Sequence, residues 1–391
     1  MDYVIRVHAS PLDIPAQTWD ALLALQDAPS PFMQHAYLAA LHTSGSATPD
    51  TGWTPQFVTL WQGDALAAAS ALYIKDHSYG EYVFDWAWAN AYADHGLNYF
   101  PKATSAVPFT PVPGSRLLAT DAKARQALLK AMLDVAQQHK LSSLHLLFTS
   151  PDDRAACDAL GLMQRQTVQF HWRNANLQGQ RFESFDNFLA SLSQEKRKKI
   201  KQERRRVADA GVTFRTSLGA DIRTKDWDFF YQCYERTYLE HGNAPYLSRA
   251  FFEHMQHQMP HNWLLFVAER DGRAIASSLV AVQGLGSPNA VAYGRYWGAL
   301  ERVDCLHFEA CYYQPLNWCI AYGVQRFEGG AQGEHKMARA LMPVATYSAH
   351  WLAHPAFADA VERYLERESA GVSHYLNHLA DRSPFKGHEP Q

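Results

Sequence analysis

The pattern that most constrains this chain is an order of predicted elements that occurs twice. Two amphipathic helices and a hairpin are predicted near the start of the chain, and the same three elements are predicted in its second half. Trp227 follows Trp19 by 208 positions, and Gly272 of the second hairpin turn follows Gly63 of the first by 209. Since 391 residues are enough for two or more domains, the chain is expected to contain two copies of one α/β unit.

The repeated order continues with a strand, a helix and a closing strand in each half. The third strand is predicted in two aromatic runs, EYVFDWAW in the first half and AVAYGRYWG in the second. A helix over 121–139 with the strand SSLHLLF, and a helix over 307–323 with the strand VQRFEGG, complete the copies. Pro315 falls inside the later helix, where it should remove a backbone hydrogen bond and kink the helix. The predicted fold class is α/β (α+β), with mixed and mostly antiparallel sheets.

Two segments lie outside the repeat. Residues 181–210 contain a predicted basic amphipathic helix, with apolar residues at helical spacing and Lys and Arg on the remaining face. Residues 356–380 form a predicted C-terminal helix. The predicted organisation is therefore a first unit over 1–180, the basic helix over 181–210, and a second unit over 211–391 that ends in the C-terminal helix.

Composition narrows the class of protein. The formal net charge is −3, so any nucleic acid or anionic membrane must be met by a local patch rather than by the whole chain. The five cysteines form no C-x-x-C pair, which argues against a disulfide framework or a zinc ribbon and favours a reducing compartment. The N-terminus does not resemble a signal peptide and no run of about 18 apolar residues occurs, so a cytoplasmic protein without a membrane span is expected.

The densest polar cluster follows the last strand of the second copy, in EGGAQGEHKMAR. Its polar side chains are those of Glu328, Gln332, Glu334, His335, Lys336 and Arg339. Sheets of α/β proteins place ligand crevices beyond strand ends, and the interleaved glycines let a substrate approach the backbone. Acyl transfer to an amine needs a base of near-neutral pKa, which Glu328 or His335 could supply. The alternative is a polar surface loop whose glycines only turn the chain.

A second group of candidate residues surrounds the start of the helix in the second copy. Glu309 either acts as a base for the amine or only stabilises the first helical turn through the helix dipole. Arg295 on the preceding strand either binds a carboxylate or phosphate or makes an ordinary ion pair. Tyr296, Trp297 and His307 complete this predicted substrate-binding set.

The first copy offers fewer candidates. Its long Pro-rich loop carries Tyr99 and Lys102, and the loop is expected either to contact a substrate or to pack as a connector. In the basic helix, Lys198, Lys199, Arg204 and Arg205 either meet the phosphates of tRNA or of an anionic lipid, or form a solvated face.

A metal site has little support in the sequence. It would have to be assembled from Cys305, His307, Glu309, Glu334 and His335. No H-E-x-x-H motif and no paired-cysteine spacing is present, and a chain rich in histidine produces such groups by chance. No metal is therefore predicted.

Three blocks of the sequence resemble the bacterial FemAB-like family of N-acyltransferases, over about residues 55–385. The blocks are FDWAWANAYADHGLNYFPKATSAVPFTPVPGSRLL, GRYWGALERVDCLHFEACYYQ and EGGAQGEHKMARALMPVATYSAHW. The resemblance implies tandem GNAT-like units and transfer of an acyl or aminoacyl group to an amine, of a cell-wall precursor or a peptide. The donor implied is aminoacyl-tRNA or acyl-CoA, with no other bound cofactor.

The sequence departs from the usual GNAT pattern at one place. The stretch GALERVDCLHF lacks the Gly-rich loop that holds the CoA pyrophosphate, and a conventional CoA site is therefore not predicted. The chemistry is predicted in the second copy, with Glu309, Glu328 or His335 as the base. Whether these three side chains converge in one open pocket distinguishes this hypothesis from its alternative. The alternative is a non-catalytic module that recognises a peptidoglycan precursor or peptide in a cleft between the domains.

Overall fold

The computed structural model describes residues 3–331 and 333–386. The strands of the first part of the chain are β1 (Val4–His8), β2 (Trp53–Pro55), β3 (Phe57–Gln62), β4 (Ala65–Ser70), β5 (Leu72–Lys75), β6 (Lys102–Ser105), β7 (Leu118–Ala119), β8 (Ser143–Leu146) and β9 (Met163–Arg173). The α-helices of that part are α1 (Ala16–Ala24), α2 (His35–Thr43), α3 (Trp86–Asp94), α4 (Ala122–Gln138) and α5 (Pro151–Ala159).

The later elements follow the predicted second copy. The helices are α6 (Phe185–Ser191), α7 (Gln194–Asp209), α8 (Thr224–Glu240), α9 (Arg249–Gln258), α10 (Leu306–Phe308), α11 (Gln314–Ala321) and α12 (Pro355–Ala380). The strands are β10 (Val212–Leu218), β11 (Trp263–Arg270), β12 (Arg273–Gln283), β13 (Val291–Ala299), β14 (Arg326–Ala331) and β15 (Met342–Leu352). A π-helix, Glu309–Tyr313, joins α10 to α11, and a 3-10 helix covers Glu334–Arg339.

The chain forms two compact units. Among the described residues, the first unit holds 3–167 and 345–374, and the second holds 168–344 without Gln332, together with 375–386. The division differs from the predicted boundaries because most of β15 and most of α12 belong to the first unit, although they follow the second unit in the sequence. Residues 168–180 and the whole basic segment belong to the second unit.

The first unit is built around α4. Strands β1, β3, β4 and β7 form one sheet in that order, and β15, β8, β6, β5 and β2 are neighbours in another. Leu128 and Met132 of α4 pack with Leu60 of β3 and Leu144 of β8 in one buried core. Strands β6 and β8 are parallel, whereas β1–β3, β3–β4, β2–β5 and β5–β6 are antiparallel. The predicted mixed, mainly antiparallel arrangement is confirmed.

The second unit repeats this plan with longer strands, in the order β10, β11, β12, β13, β14 and β9. Strand β12 is one continuous strand where the first unit has β4 and β5. Strands β13 and β14 are parallel, as β6 and β8 are in the first unit. Helix α8 lies so close to β13 that a Cβ atom at Gly298 would stand 1.9 Å from the Cys233 carbonyl oxygen. Only glycine fits there.

One predicted strand is wrong. The aromatic run EYVFDWAW does not form the third strand of the first unit, because β6 takes that place and α3 begins at Trp86. Tyr82 has a positive φ of 60°, which ends any extended run, and Trp88 and Tyr92 are buried one helical turn apart. An aromatic residue at every second position from Tyr82 to Trp88 favoured a strand and did not reveal this helical spacing.

The basic segment forms two helices where one was expected. These are α6 and α7, which are separated at Ser193, whose hydroxyl accepts from the Lys196 amide.

The helix around Pro315 is continuous from Leu306 to Ala321. Its middle is the π-helix Glu309–Tyr313, which lies immediately before Pro315. The expected distortion near this proline thus takes the form of a π-helical turn, a known site of helix irregularity.

Candidate functional site

The two parallel strands of the second unit separate partway along their length. Strands β13 and β14 are paired only from Val291 and Arg326 to Tyr293 and Glu328. Beyond this point β13 carries a bulge, because Gly294 and Tyr296 lie opposite consecutive residues of β12 and Arg295 is the extra residue. A cavity of about 310 Å³ opens at this place, and we call it the wedge cavity.

Four segments of the chain line the wedge cavity. The lining residues are Ser278, Gly294, Arg295, Tyr296, Trp297, His307, Cys311, Tyr312, Phe327, Gly329, His335 and Lys336. Of the predicted site residues, the structure brings Arg295, Tyr296, Trp297, His307, His335 and Lys336 together here. The bulge of β13, the π-helix and the 3-10 helix after β14 therefore meet around one space.

Glycine at position 294 is part of the construction of the cavity. A Cβ atom there would stand 2.8 Å from the Cζ atom of Phe327, which lies in the floor of the cavity. Any larger residue would push this ring into the open space. The close approach of β13 to Phe327 thus depends on the missing side chain.

Two histidines line the wedge cavity, and both have lowered pKa values. Burial, with smaller contributions from His335, Arg339 and Lys336, lowers the pKa of His307 to about 4. The pKa of the more exposed His335 is lowered by partial burial and by the charges of Lys336 and Arg339. Its Nε2 atom lies 3.5 Å from the Tyr312 hydroxyl. Both imidazoles are therefore mainly neutral at pH 7 and able to accept a proton.

Lys336 closes the turn that carries His335. Its buried Nζ atom donates to the carbonyl oxygens of Gly329, at 2.6 Å, and Gly330, at 3.3 Å. Burial lowers the pKa of Lys336 to about 8. The ammonium group thus fixes the 3-10 helix to the end of β14, where the strands separate.

The two predicted carboxylate bases lie elsewhere. Glu309 is buried and accepts from Arg204 Nε, 3.2 Å from both carboxylate oxygens, and from Gln314 Nε2 at 2.7 Å. It lines a different cavity, of about 660 Å³, beside α7. Glu309, Glu328 and His335 therefore do not converge on one pocket, because Glu309 points toward the basic helix. This outcome does not support a carboxylate base beside His335.

Glu328 projects from the sheet face opposite to Phe327, since side chains alternate along a strand. Its Oε1 atom accepts from Arg326 Nε at 2.9 Å, while the buried Oε2 has no hydrogen-bond partner in the described part of the chain. Burial raises the pKa of Glu328 to about 7. The group is therefore a titratable buried carboxyl, but it does not line the wedge cavity.

Arg339 and Glu334 are two further predicted residues near the turn after β14. Arg339 is buried, its Nη2 atom is 2.9 Å from Glu203 Oε2, and its guanidinium lies 3.6 Å from the ring centre of Phe308. Glu334 faces outward and accepts from the Tyr375 hydroxyl at 2.6 Å. Gln332 lies outside the described residues.

The candidates of the first unit are buried rather than open to a substrate. Lys102, with 0% of its surface exposed, donates to Ser78 and Glu81, each at 2.8 Å, and to Asp85. The Tyr99 hydroxyl donates to Asp85 at 2.7 Å. The predicted loop is thus partly helix and strand, and its polar residues satisfy one another inside the unit.

In the basic helix, the predicted phosphate-binding residues differ in availability. Lys198, Lys199 and Arg205 are exposed, whereas Arg204 is half-buried against Glu309.

Cys311, Tyr312 and Glu203 were not predicted as site residues. Glu203 could have been noticed, because it is an acidic residue on the apolar stripe of a helix that is otherwise basic on its polar face.

These features define a class of protein: two GNAT-type units with a cavity where parallel strands separate. The model of the FemAB-like family, described as peptidoglycan biosynthesis/recognition, matches residues 10–387, and the chain belongs to this family. Comparison with curated proteins finds no match.

Three solved structures share the fold. The structure of FemX covers 93% of this chain and 100% of its own, with a TM-score of 0.55 and 10% identity. The C-terminal domain of a putative lysylphosphatidylglycerol synthetase from Agrobacterium fabrum covers 88% of this chain and 94% of its own, with a TM-score of 0.53 and 11% identity. L-PGS from Bacillus licheniformis covers 90% of this chain and 97% of its own, with a TM-score of 0.52 and 11% identity. The predicted family and fold are confirmed.

Within residues 3–331 and 333–386, no helix is long and apolar enough to cross a bilayer. The same residues contain no group of three His, Cys, Asp or Glu side chains close enough to hold a metal ion together.

Proposed function

We propose that the chain is an N-acyltransferase that holds the carbonyl of an activated acyl or aminoacyl group in the wedge cavity of its second unit. The observation that carries the proposal is the convergence of six predicted site residues, five substrate-binding and one catalytic, on one cavity at the end of parallel strands. Ligand sites of α/β sheets form at such strand ends, because the backbone groups there are not used by the sheet. The neutral imidazole of His335 supplies the proton acceptor that acylation of an amine requires, whereas the pKa of His307, about 4, makes His307 a much weaker base.

In the proposed reaction, the amine nitrogen attacks the carbonyl carbon of the donor ester or thioester. The C–N bond forms, the C–O or C–S bond to the donor breaks, and the leaving group takes up a proton. His335 accepts the proton that the amine loses, since it is the more accessible imidazole of the cavity. Backbone N–H groups at the edge of β13 beyond Tyr293 stabilise the tetrahedral oxyanion.

We infer donor and acceptor at the level of chemical class. The acceptor is an amine of a peptidoglycan precursor or a peptide, in keeping with the family description. The donor is an aminoacyl-tRNA or an acyl-CoA, and both carry phosphates. Lys198, Lys199 and Arg205 form an exposed group of cations on α7 that suits a phosphate-bearing partner, either the tRNA or an anionic lipid surface.

Replacement of the proposed base tests the function. Purified protein is assayed for transfer from a panel of aminoacyl-tRNAs and acyl-CoAs to amines of peptidoglycan precursor peptides. With the active donor, His335→Ala should lower kcat/KM by about 10²–10⁴-fold. His257→Ala, which removes an exposed histidine of α9 in the same unit, is the matched control and should leave the rate unchanged.

Circular dichroism and thermal unfolding establish that both variants are folded. Turnover of His335→Ala within about twofold of the control would contradict its role as the base. Binding of precursor peptide without transfer from any donor would favour the non-catalytic module instead.

A further inference from the structure

Glu203 is a buried carboxylate on the apolar side of the basic helix α7. It is 7% exposed and lies between Ile200 and Val207, which are 1% and 2% exposed. A charged residue on such a stripe costs free energy unless it is paired and hydrogen-bonded. Glu203 therefore needs partners from the elements against which α7 packs.

Both partners of Glu203 lie in segments whose neighbouring residues line the wedge cavity. Its Oε2 atom accepts from the Tyr313 hydroxyl and from Arg339 Nη2, the latter at 2.9 Å. Tyr313 is the last residue of the π-helix and follows Tyr312, which lines the cavity. Arg339 Nη1 donates to the backbone carbonyl of His335 at 2.8 Å. One carboxylate oxygen thus connects the segment that carries Tyr312 with the segment that carries His335.

The next residue of α7 holds the other end of the π-helix. Arg204 Nε lies 3.2 Å from both carboxylate oxygens of Glu309, the first residue of that segment. The π-helix is therefore attached to α7 at its first and last residues. Helices of this type occur as single turns near functional sites and depend on their surroundings, because their backbone geometry is unfavourable.

We infer that Glu203 is a positioning residue, which sets the distance between the imidazole of His335 and the hydroxyl of Tyr312 across the wedge cavity. It acts through Arg339 and Tyr313 and does not line the cavity itself. Its effect on turnover rests on the proposed function, whereas its effect on His335 does not. Helix α7 therefore supports the segments that line the cavity, in addition to presenting exposed Lys and Arg side chains.

The charge of Glu203 provides a readout that simple loss of packing would not change. Its carboxylate compensates the buried guanidinium of Arg339, which together with Lys336 lowers the pKa of His335. In Glu203→Gln this compensation is removed, so the positive charge of Arg339 acts more strongly on His335. The pKa of His335 should fall further below its ordinary value.

The experiment compares Glu203→Gln with Glu195→Gln, which removes an exposed carboxylate from the same helix. Histidine labelled with ¹³C at Cε1 is titrated by NMR, and His335→Asn identifies the resonance. Glu203→Gln should lower the His335 midpoint and reduce kcat/KM by about 10²-fold, since small displacements of catalytic groups have effects of that size. Glu195→Gln should change neither quantity.

Two milder variants keep the test decisive if Glu203→Gln does not fold. Glu203→Asp retains the charge, and its His335 midpoint should stay near that of the wild type. Tyr313→Phe removes one hydrogen bond without changing any charge, so it should reduce the rate while leaving the midpoint unchanged.

Wild-type values for both the midpoint and the rate in Glu203→Gln would overturn the inference, as would a shift in Tyr313→Phe equal to that in Glu203→Gln. If no donor supports transfer, the proposed function fails. The titration of His335 still decides the role of Glu203 in that case.

Discussion

The two units contain the same parallel strand pair, but different elements follow it. In the first unit β6 and β8 pair as far as Ser105 and Leu146, and the segment at Gly114 then lies beside the end of β8, because Gly114 N donates to Phe148 O at 3.0 Å. In the second unit the equivalent strands separate after Tyr293 and Glu328 and enclose the wedge cavity.

A single side chain accounts for much of this difference. Arg116, which is 1% exposed, donates through Nε to the Leu147 carbonyl at 2.8 Å and through Nη2 to the Val112 carbonyl. The backbone groups at the end of β8 are thus satisfied from inside the first unit. The comparison teaches that a duplicated strand pair becomes a candidate site only where the chain does not fill it with its own polar atoms.

A buried lysine of each unit, Lys102 in the first and Lys336 in the second, also has different partners. Lys102 is held by the carboxylates of Glu81 and Asp85, so its ammonium balances two buried charges. Lys336 donates to backbone carbonyls at the edge of the cavity. The first lysine is a structural charge of the core, whereas the second belongs to the wall of an open space.

The largest effect is expected from removing the buried lysine of the first unit. Lys102→Met leaves Glu81 and Asp85 as buried charges without a cation, which should lower the free energy of unfolding by about 3–5 kcal/mol. Lys336→Met should lower it by only about 1–3 kcal/mol, because carbonyl acceptors rather than charges lose their partner. Urea unfolding followed by circular dichroism measures both, with the exposed Lys123→Met as control. Equal losses in the two variants would contradict the comparison.

Acid should destabilise the two units through buried histidines. Burial lowers the pKa of His145 in the first unit and of His171 in the second to about 3. Below pH 6.5 the unfolded chain takes up protons at these sites while the folded chain does not, so stability is lost as the pH falls from 6.5 toward 3. The free energy of unfolding decreases in both proteins between pH 7 and pH 5. The decrease should be smaller in His145→Gln than in the wild type, by roughly 2 kcal/mol.

His171→Gln should reduce the acid dependence of the second unit by a similar amount. The exposed His257→Gln serves as the control for both variants. Urea titrations at the two pH values provide the measurement. An unchanged pH dependence in His145→Gln would mean that its imidazole is already protonated in the folded protein.

Reducing the space in the wedge cavity should reduce the transfer activity that we assign to the second unit. In Gly294→Ala the new Cβ atom would stand 2.8 Å from Phe327 and displace its ring, so transfer should fall at least tenfold while the protein stays folded. Gly371→Ala in α12 has open space around it and should be silent or slightly stabilising. Steady-state kinetics with the active donor compares the two. Full activity of Gly294→Ala would place the reacting group outside the cavity.

The smallest effect is expected at the exposed cations of α7. Replacing Lys198 and Lys199 by Gln should weaken binding of tRNA or of anionic vesicles about five- to tenfold and reduce the salt slope by about 2. Lys123→Gln with Lys130→Gln makes the same charge change on α4 of the first unit and should have no effect. Fluorescence anisotropy with tRNA and vesicle flotation distinguish the two partners. Identical curves for both double variants would leave α7 a solvated face.

Much of the site could be predicted because the relevant residues stand next to strong local patterns. His335 and Lys336 follow a buried strand and three glycines, and Arg295 to Trp297 lie on an aromatic strand. The misplaced candidates failed for one reason. Glu309 and Lys102 are polar residues in plausible positions, but burial and ion pairing gave them partners from distant segments. Such pairing depends on neighbours in space and leaves no local signal.

The amino-acid sequence by itself determined that there are two α/β units, the FemAB-like family, and the part of the chain in which the cavity lies. Periodicity and turn residues act over short distances, so they are visible in the chain as written. Only the tertiary structure decided that β13 and β14 separate and that His335 rather than Glu309 lines the cavity between them. The contact of Glu203 with Arg339 likewise depends on the tertiary structure. These outcomes depend on which buried polar group finds a partner, and that is settled only when distant segments pack together.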